Sequence, residues 1–322
     1  METRSGVAVP VLSQRLFGAL FYGISSFIII VVNKVVLTSY KFPSFQFLAL
    51  GQLITTIVVL FIAKRLKMIH FPDCSKETIV QIFPLPLIYL ANMVFGLAGT
   101  QKLSLPMFTV LRRFTILLTM IFEQILIGKV ASLTIKLTVA SMIIGALIAA
   151  SDDLAFDLKG YVFILLNDLC TALNGVYTKK KLDTKNLGKY GLLYYNALFM
   201  LIPATLVIFI NGEFKSVLAF ESWSNPMFTV QFLMSCGMGF VLMYSIVLCT
   251  LYNSALTTTI VGVLKNLLVT YIGMFIGGDY VFSMVNFIGL NISALGSVVY
   301  TWITFKQKPP VSTTPVSDKS PV

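Results

Sequence analysis

The sequence has 322 residues, of which 57% are hydrophobic and only 11% are charged. A soluble domain has no need of so much apolar surface, and apolar runs of about 20 residues recur along the chain, as in polytopic helical membrane proteins. The runs are continuous and lack the alternation of transmembrane β-strands, which argues against a membrane β-barrel. The net charge of +11 is typical of some nucleic-acid-binding proteins, but the distribution of the basic residues explains it differently.

The apolar runs predict an all-α integral membrane protein. Ten transmembrane helices are expected near residues 15–37, 45–64, 79–99, 105–127, 133–150, 160–178, 190–210, 228–249, 255–277 and 284–304. Residues 1–14 lack the basic and apolar regions of a cleavable signal peptide, so we expect a cytosolic N-terminal segment and a first span that acts as its own insertion signal. Residues 306–322 are rich in Pro, Ser and Thr and are predicted to be a disordered cytosolic tail.

The basic residues indicate the orientation of these helices. With both termini in the cytosol, 16 of the 24 Lys and Arg fall on the cytosolic side, four fall on the lumenal or exterior side and four lie inside predicted spans. The positive-inside rule therefore predicts cytosolic termini. Most of the positive charge is a topology signal, so we predict a lipid bilayer and no nucleic acid as the partner of the surface.

Reactive side chains give no sign of a catalytic or metal centre. Three of the four cysteines (Cys74, Cys170, Cys236 and Cys249) lie in apolar runs, where small buried thiols are common, so no disulfide framework is predicted. Asp152 and Asp153 are interpreted as part of a hydrated loop. Zinc-ligand spacing, a phosphate-binding loop and a Ser/His/Asp set are absent from the sequence. We therefore predict no metal and no cofactor.

Four cations lie inside predicted spans: Lys34, Arg112, Arg113 and Lys265. A cation in hydrocarbon costs about 2.5–3.5 kcal/mol, so it normally faces a partner or a water-filled cavity. The only carboxylates at comparable depth are Glu123 and Asp168, which leaves an excess of two positive charges. Such an interior suits an anionic solute and predicts an anion transporter.

Arg112 and Lys265 belong to a short internal repeat. Residues 110–114 resemble residues 263–267, an offset of 153 residues that places Arg112 on Lys265. With five spans in each half, 15–150 and 160–305, the second half is inverted relative to the first. Inverted repeats place the binding site near mid-membrane at their interface. Chance similarity between apolar segments is the alternative.

Each intramembrane cation also has a structural interpretation. Adjacent helical residues point about 100° apart, so one of Arg112 and Arg113 can bind a phosphate while the other pairs with Glu123 or a carbonyl. Lys265 supplies a compact charge for phosphate, or pairs with Asp168. Lys34 lies near the lumenal end of its span, where snorkelling to the interface is the alternative.

Polar and aromatic residues supply candidate base- and sugar-binding groups. Tyr194, Tyr195 and Asn196 can stack a base and bind a polar edge, although an interfacial aromatic belt is the alternative. Weaker candidates of the same kind are Tyr22, Tyr252 and Asn253.

Four segments, 32–38, 106–114, 187–197 and 252–259, resemble the nucleotide-sugar transporters of the drug/metabolite transporter superfamily, above all the branch for UDP-glucuronic acid, UDP-N-acetylglucosamine and UDP-N-acetylgalactosamine. That family binds substrate through a Phe-Tyr-Asn-Asn and a Gly-Ala-Leu-Asn-Lys motif. Here the first reads Tyr194-Tyr195-Asn196-Ala197, and the missing second asparagine argues against GDP-mannose. The second reads Gly262-Val263-Leu264-Lys265-Asn266, with Lys and Asn exchanged. Tyr22 matches a tyrosine of the family's nucleotide site.

The resemblance implies an antiporter that moves a UDP-sugar from the cytosol into the Golgi or ER lumen in exchange for UMP, by alternating access. A homodimer is compatible with the sequence. One alternative is a translocator of sugar phosphates or other organic phosphates from the same superfamily. Another is a membrane-embedded transferase that uses Asp152, Asp153 and Asp157 with a metal, and a third is a structural membrane protein.

Overall fold

The computed structural model describes residues 11–102, 111–151, 158–183, 187–276 and 283–306, with the side chains of 97–102 and 266–276 left aside. Within these residues the chain is helical, with short turns and no strand. The predicted segments 1–10, 103–110, 152–157 and 307–322, which include Asp152, Asp153 and Asp157, lie outside the described residues.

The helices follow the predicted spans. Their bounds are α1 Leu12–Lys34, α2 Phe45–Arg65, α3 Lys76–Ile82, α4 Leu85–Lys102, α5 Phe114–Phe122, α6 Leu133–Ala150, α7 Leu158–Asp183, α8 Gly188–Ile210, α9 Glu213–Leu218, α10 Pro226–Tyr252, α11 Ala255–Ile276 and α12 Met284–Lys306. Single π-helical turns extend α1 through Val35–Ser39 and α5 through Glu123–Ile127.

Local sequence explains where several helices begin. The side chains of Ser44, Ser75 and Ser132 accept hydrogen bonds from the third amide of the helices that follow them. Asn225 caps α10 by accepting a hydrogen bond from the amide of Met227, and Pro226, which has no amide hydrogen to leave unpaired, takes the first helical position. These caps separate the apolar runs into distinct helices.

Five helices of the described chain are long and apolar enough to cross a membrane, and a sixth candidate is formed by α3 and α4, bent by 45° at Phe83 and Pro84. Shorter apolar helices cover 114–127, 133–149 and 255–265. The apolar side chains that face outward, such as Phe209 and Leu133, are those that a bilayer would cover. The chain is thus an all-helical protein with the features of a membrane protein.

The fourth predicted span differs from a continuous helix. Arg112 and Arg113 lie in a turn after Leu111, and α5 begins only at Phe114. The amides of Thr115 and Ile116 bond to the carbonyls three residues earlier, at 3.3 and 3.0 Å, so this turn is tighter than an α-helix. Sequence periodicity could not reveal the turn, because the apolar run resumes directly after the two arginines, as it would in a continuous helix.

The helices pack mainly across the two halves of the sequence. The most extensive pairs are α6 with α12, α4 with α7, α1 with α10, α2 with α10, α2 with α8 and α5 with α7, followed by α1 with α11, α7 with α11, α11 with α12, α5 with α11 and α4 with α8. The helices α6 and α12 approach each other closely, since a β-carbon at Gly145 would lie 2.6 Å from the Gly289 carbonyl oxygen. Only glycine fits at such a crossing.

Candidate functional site

Arg112 and Arg113 occupy different environments although they are adjacent. Arg113 is 2% exposed and directly precedes α5, whereas Arg112 is half-buried. The tight turn directs the two guanidinium groups differently, as the sequence predicts for neighbouring residues. Arg112 is therefore the more accessible of the two side chains.

Arg112 is the centre of a cluster drawn from four helical segments. Its charge acts directly on Lys265 of α11, on Tyr22 of α1 and on Asp168 of α7. Three of these residues, Arg112, Lys265 and Tyr22, were predicted as site residues from the sequence. The structure thus brings together cations that are 153 positions apart in the chain.

Tyr22 and Gly262 meet where α1 crosses α11. The hydroxyl oxygen of Tyr22 lies 3.0 Å from the position of a β-carbon at residue 262. Gly262 and Lys265 are three residues apart on α11 and so lie on the same helix face. The missing side chain at 262 leaves the space that the Tyr22 hydroxyl fills beside Lys265.

Asp168 is a member of the cluster that the sequence identified only as a partner for Lys265. Its side chain is fully buried, and its Oδ1 accepts a 2.7 Å hydrogen bond from Thr115 Oγ1. Its Oδ2 is buried without a hydrogen-bond partner in the described part of the chain. No ion pair joins Asp168 to Lys265 among the described residues. Two cations and one carboxylate leave a net positive cluster that suits an anion.

Glu123, the second intramembrane carboxylate, serves a different contact. Its Oε1 accepts a 3.0 Å hydrogen bond from the amide of Leu256, in the first turn of α11. Its Oε2 lies 3.7 Å from the ammonium of Lys129. A carboxylate at a helix N-terminus interacts favourably with the helix dipole, so Glu123 joins α5 to α11 and leaves the Arg112 cluster with its positive excess.

The predicted aromatic motif on α8 is largely engaged in packing. Tyr195 is 2% exposed, and its hydroxyl donates a 2.7 Å hydrogen bond to the carbonyl of Pro72. Its ring meets those of Tyr194 and Phe71 edge-on, with centroids 5.2 and 6.0 Å apart. Asn196 differs, because its Oδ1 is buried with no hydrogen-bond partner in the described region. Within this motif, Asn196 is therefore the residue whose side-chain oxygen can still accept a hydrogen bond.

The remaining predicted site residues lie at several places. Lys34 is exposed at the end of α1, while Oδ1 of its neighbour Asn33 accepts a 2.5 Å hydrogen bond from Ser235. Asn253 donates to the carbonyls of Arg15 and Cys249 at 3.1 and 3.2 Å. The side chain of Asn266 lies outside the described residues.

A second aromatic cluster was missed by the sequence analysis. The rings of Tyr190 and Tyr244 are stacked with centroids 6.0 Å apart, and the ammonium of Lys189 lies 3.3 Å from the Tyr244 hydroxyl. Phe21, next to Tyr22, meets Tyr244 at 6.5 Å. This cluster therefore adjoins the α1 segment that carries Tyr22, and only the fold could reveal it, because its members come from three distant segments.

Comparison with known proteins places this geometry in context. Residues 13–301 match the Triose-phosphate Transporter family. The chain is 58% identical to the UDP-sugar transporter UST74c of Drosophila melanogaster over 295 residues, 92% of this chain and 79% of that protein. It is 54% identical to the human nucleotide sugar transporter SLC35D2 over 93% of this chain and 89% of that one. It is 52% identical to the UDP-sugar transporter sqv-7 of Caenorhabditis elegans, over 92% and 91% of the two chains.

A solved crystal structure shares the fold. It covers 89% of this chain and 98% of its own, with a TM-score of 0.61 at 13% sequence identity. At that identity the likeness concerns the fold alone.

Proposed function

Because the chain belongs to the Triose-phosphate Transporter family of the drug/metabolite transporter superfamily, whose members are transporters and not enzymes, we propose that it carries nucleotide sugars across a membrane. The substrates that we propose are UDP-N-acetylglucosamine, UDP-glucuronic acid and UDP-N-acetylgalactosamine, moved from the cytosol into the Golgi or ER lumen in exchange for UMP. The names of UST74c and sqv-7 support UDP-sugars as the class, and that of SLC35D2 supports nucleotide sugars.

The observation that carries the proposal is the cluster of Arg112, Lys265, Tyr22 and Gly262. Two mutually repelling cations in a low-dielectric interior are stabilised by an anion placed between them. A diphosphate supplies about two negative charges, and UMP shares the phosphate and the base with a UDP-sugar. One site can therefore bind both substrates, which is what exchange requires.

Alternating access is supported by the pairing of helices. If α1, α2, α4, α5 and α6 are matched with α7, α8, α10, α11 and α12, the pair α4–α7 corresponds to α10–α1. In the same way α5–α7 corresponds to α11–α1, and α2–α10 to α8–α4, while α6–α12, α2–α8 and α5–α11 correspond to themselves. The pair α7–α11 departs from this pattern, because it is more extensive than its counterpart α1–α5. A twofold relation of two inverted five-helix repeats would produce such pairs, and it would bring Arg112 and Lys265 to the interface of the repeats. Ten spans with both termini in the cytosol complete the proposal.

A bound substrate anion would also allow the protein to change between the two states of alternating access. An empty site carries an uncompensated positive charge through the closed state, whereas a loaded site does not. Exchange is then faster than net uptake, because each half-cycle proceeds with an anion bound.

A sugar-phosphate translocator is the second candidate, since the matching family is described by triose phosphate. Such a site needs the cations but has no reason to bind uridine. Inhibition of uptake by UMP supports the nucleotide-sugar function, whereas inhibition by sugar phosphates and not by UMP supports the second candidate.

Uptake into proteoliposomes tests the proposed function. The purified full chain is reconstituted with internal UMP or without it, and each radiolabelled UDP-sugar is supplied outside in turn. We expect uptake that depends on internal UMP and that falls in Lys265→Ala but not in Lys215→Ala, which removes an exposed lysine of α9. Equal uptake with and without UMP would contradict exchange, and absence of uptake of every UDP-sugar would contradict the substrate class.

A further inference from the structure

A cavity of about 200 Å³ lies away from the Arg112 cluster, where the α3–α4 bend meets the end of α7. Its lining includes Gln81 of α3, Tyr177, Lys180 and Lys181 of α7, and Leu187 just before α8. These residues lie on the side of the chain that the basic loops assign to the cytosol. None of them belongs to the proposed substrate site.

The cavity is basic. Of the seven described residues that line it, two are lysines and none is acidic. Burial, and then the neighbouring charge of Lys180, lowers the pKa of the Lys181 ammonium below its usual value. Two like charges held together in a partly desolvated place repel each other, and an anion bound between them would relieve that repulsion.

Two charged residues near the cavity, Lys179 and Glu77, do not line it. Lys179 is directed elsewhere, since its ammonium donates to the Leu251 carbonyl at 3.1 Å and pairs with Asp183 at 3.1 Å. Glu77 lies one turn before Gln81 on α3 but does not line the cavity. The cavity thus presents lysines, an amide and a phenol, which are groups that bind phosphate oxygens.

An exposed apolar surface adjoins the cavity. Phe83 and Pro84 form part of the lining, and Phe83 is 55% exposed. Val80 and Leu87, a turn away on either side, are also exposed. These residues belong to the bent apolar segment of α3 and α4, whose outer face suits acyl chains. A soluble phosphate would use only the basic cavity, whereas a phospholipid would use both surfaces.

We propose that this cavity, here called the α7 lysine pocket, binds the phosphate-bearing headgroup of an anionic phospholipid in the cytosolic leaflet. The headgroup phosphate contacts Lys180, Lys181 and Gln81, and the acyl chains lie along Phe83 and Val80. Basic pockets between helices near the cytosolic surface bind such headgroups in this manner. Since α3 and α4 come from the first half of the chain and α7 from the second, the bound lipid bridges the two halves.

Lipid retention by the full chain tests the proposal. The protein is reconstituted in phosphatidylcholine with a small fraction of phosphatidylinositol 4-phosphate, extracted in mild detergent, and its bound lipid is measured by native mass spectrometry. We expect the double substitution Lys180→Gln/Lys181→Gln to weaken retention about thirtyfold, since each lysine near an anionic headgroup contributes about fivefold. The matched control Lys67→Gln/Lys136→Gln removes two exposed lysines from the same predicted side and should retain the lipid.

Three further results decide the matter. Gln81→Glu keeps both lysines but adds a carboxylate to the lining, and it should weaken retention even if the double variant fails to fold.

Soluble inositol 1,4-bisphosphate at equal concentration should displace little lipid, and full displacement would assign the pocket to a soluble phosphate and overturn the lipid proposal. If the double variant and its control lost lipid retention equally, the lipid would be held by the general positive charge of the surface, and the proposal would be overturned as well. Retention is measured without transport, so it does not depend on the proposed substrate.

Discussion

The Tyr22 hydroxyl lies 3.0 Å from the position that a β-carbon would take at Gly262, so α1 and α11 touch at a point that only glycine accommodates without a shift. Gly262→Ala should move the Tyr22 ring by a few tenths of an ångström and lower transport. Adding Tyr22→Phe removes the hydroxyl, and because the next ring atom is 3.9 Å away, the packing strain should disappear. We expect thermal unfolding of the double variant to return to that of the Tyr22→Phe single variant.

Gly237→Ala in α10 is the matched control, because nothing lies within 4 Å of its added β-carbon. Alanine there should be neutral or stabilising by up to about 1 kcal/mol, since it favours the helix. If Tyr22→Phe left the Gly262→Ala defect in stability unchanged, the contact between α1 and α11 would not be its cause.

Lys265 and Arg112 repel each other in the protein without substrate, since their charges interact directly. Lys265→Met should therefore raise the unfolding temperature of the empty protein. The same change should remove a charged hydrogen bond to phosphate, worth about 1.5–3 kcal/mol, and lower kcat/KM about tenfold or more. The stabilisation that UMP gives to the wild type should be largely lost.

A rise in stability without loss of UMP-dependent stabilisation would place the anion away from Lys265. Arg112→Lys refines the test, because it keeps the charge but loses the planar fork of the guanidinium. We expect Arg112→Lys to raise the KM of transport but to leave the unfolding temperature of the empty protein unchanged.

Asp168 reduces the positive charge of the cluster, because its buried carboxylate interacts with Arg112. Asn at this position can still accept the 2.7 Å hydrogen bond from Thr115, so Asp168→Asn should fold. The site becomes more positive by one charge and should bind anions more tightly but release them more slowly. We expect both KM and kcat to fall, measured as initial rates of UMP exchange. Asp183→Asn, which alters a half-exposed carboxylate of the same helix, should change neither. A rise in KM for Asp168→Asn would contradict an electrostatic role.

The sequence predicts the positions of the helices well because about 20 apolar residues are a strong and local signal. The similarity of the segments around Arg112 and Lys265 also predicts that these cations lie close together, and in the structure their charges interact. The turn at Arg112 and Arg113 was not predictable, because two charged residues inside a long apolar run are equally compatible with a continuous helix.

Contacts between distant segments limited the prediction of the site itself. Tyr195 and Asn196 are adjacent and were treated alike, yet the hydroxyl of Tyr195 is bonded to Pro72, 123 positions away. Lys189 and Tyr244 are 55 positions apart, and neither has a neighbour in sequence that indicates their contact. Such pairings follow from tertiary packing, which a single sequence does not specify.

Glu123 provides the last prediction, because its carboxylate accepts the amide of Leu256 in the first turn of α11. Glu123→Ala leaves that buried amide unpaired and should destabilise the protein by about 1–3 kcal/mol. Glu123→Gln keeps an acceptor but loses the charge beside the helix dipole and Lys129, so the loss should be only about 0.3–1 kcal/mol. Denaturant unfolding in micelles measures both, with Glu221→Ala, an exposed position, as the control. Because α11 carries Lys265, a loosened first turn should also raise KM in the alanine variant more than in the glutamine variant. Equal effects of the two substitutions would mean that the charge of Glu123, and not its hydrogen bond, holds α11 in place.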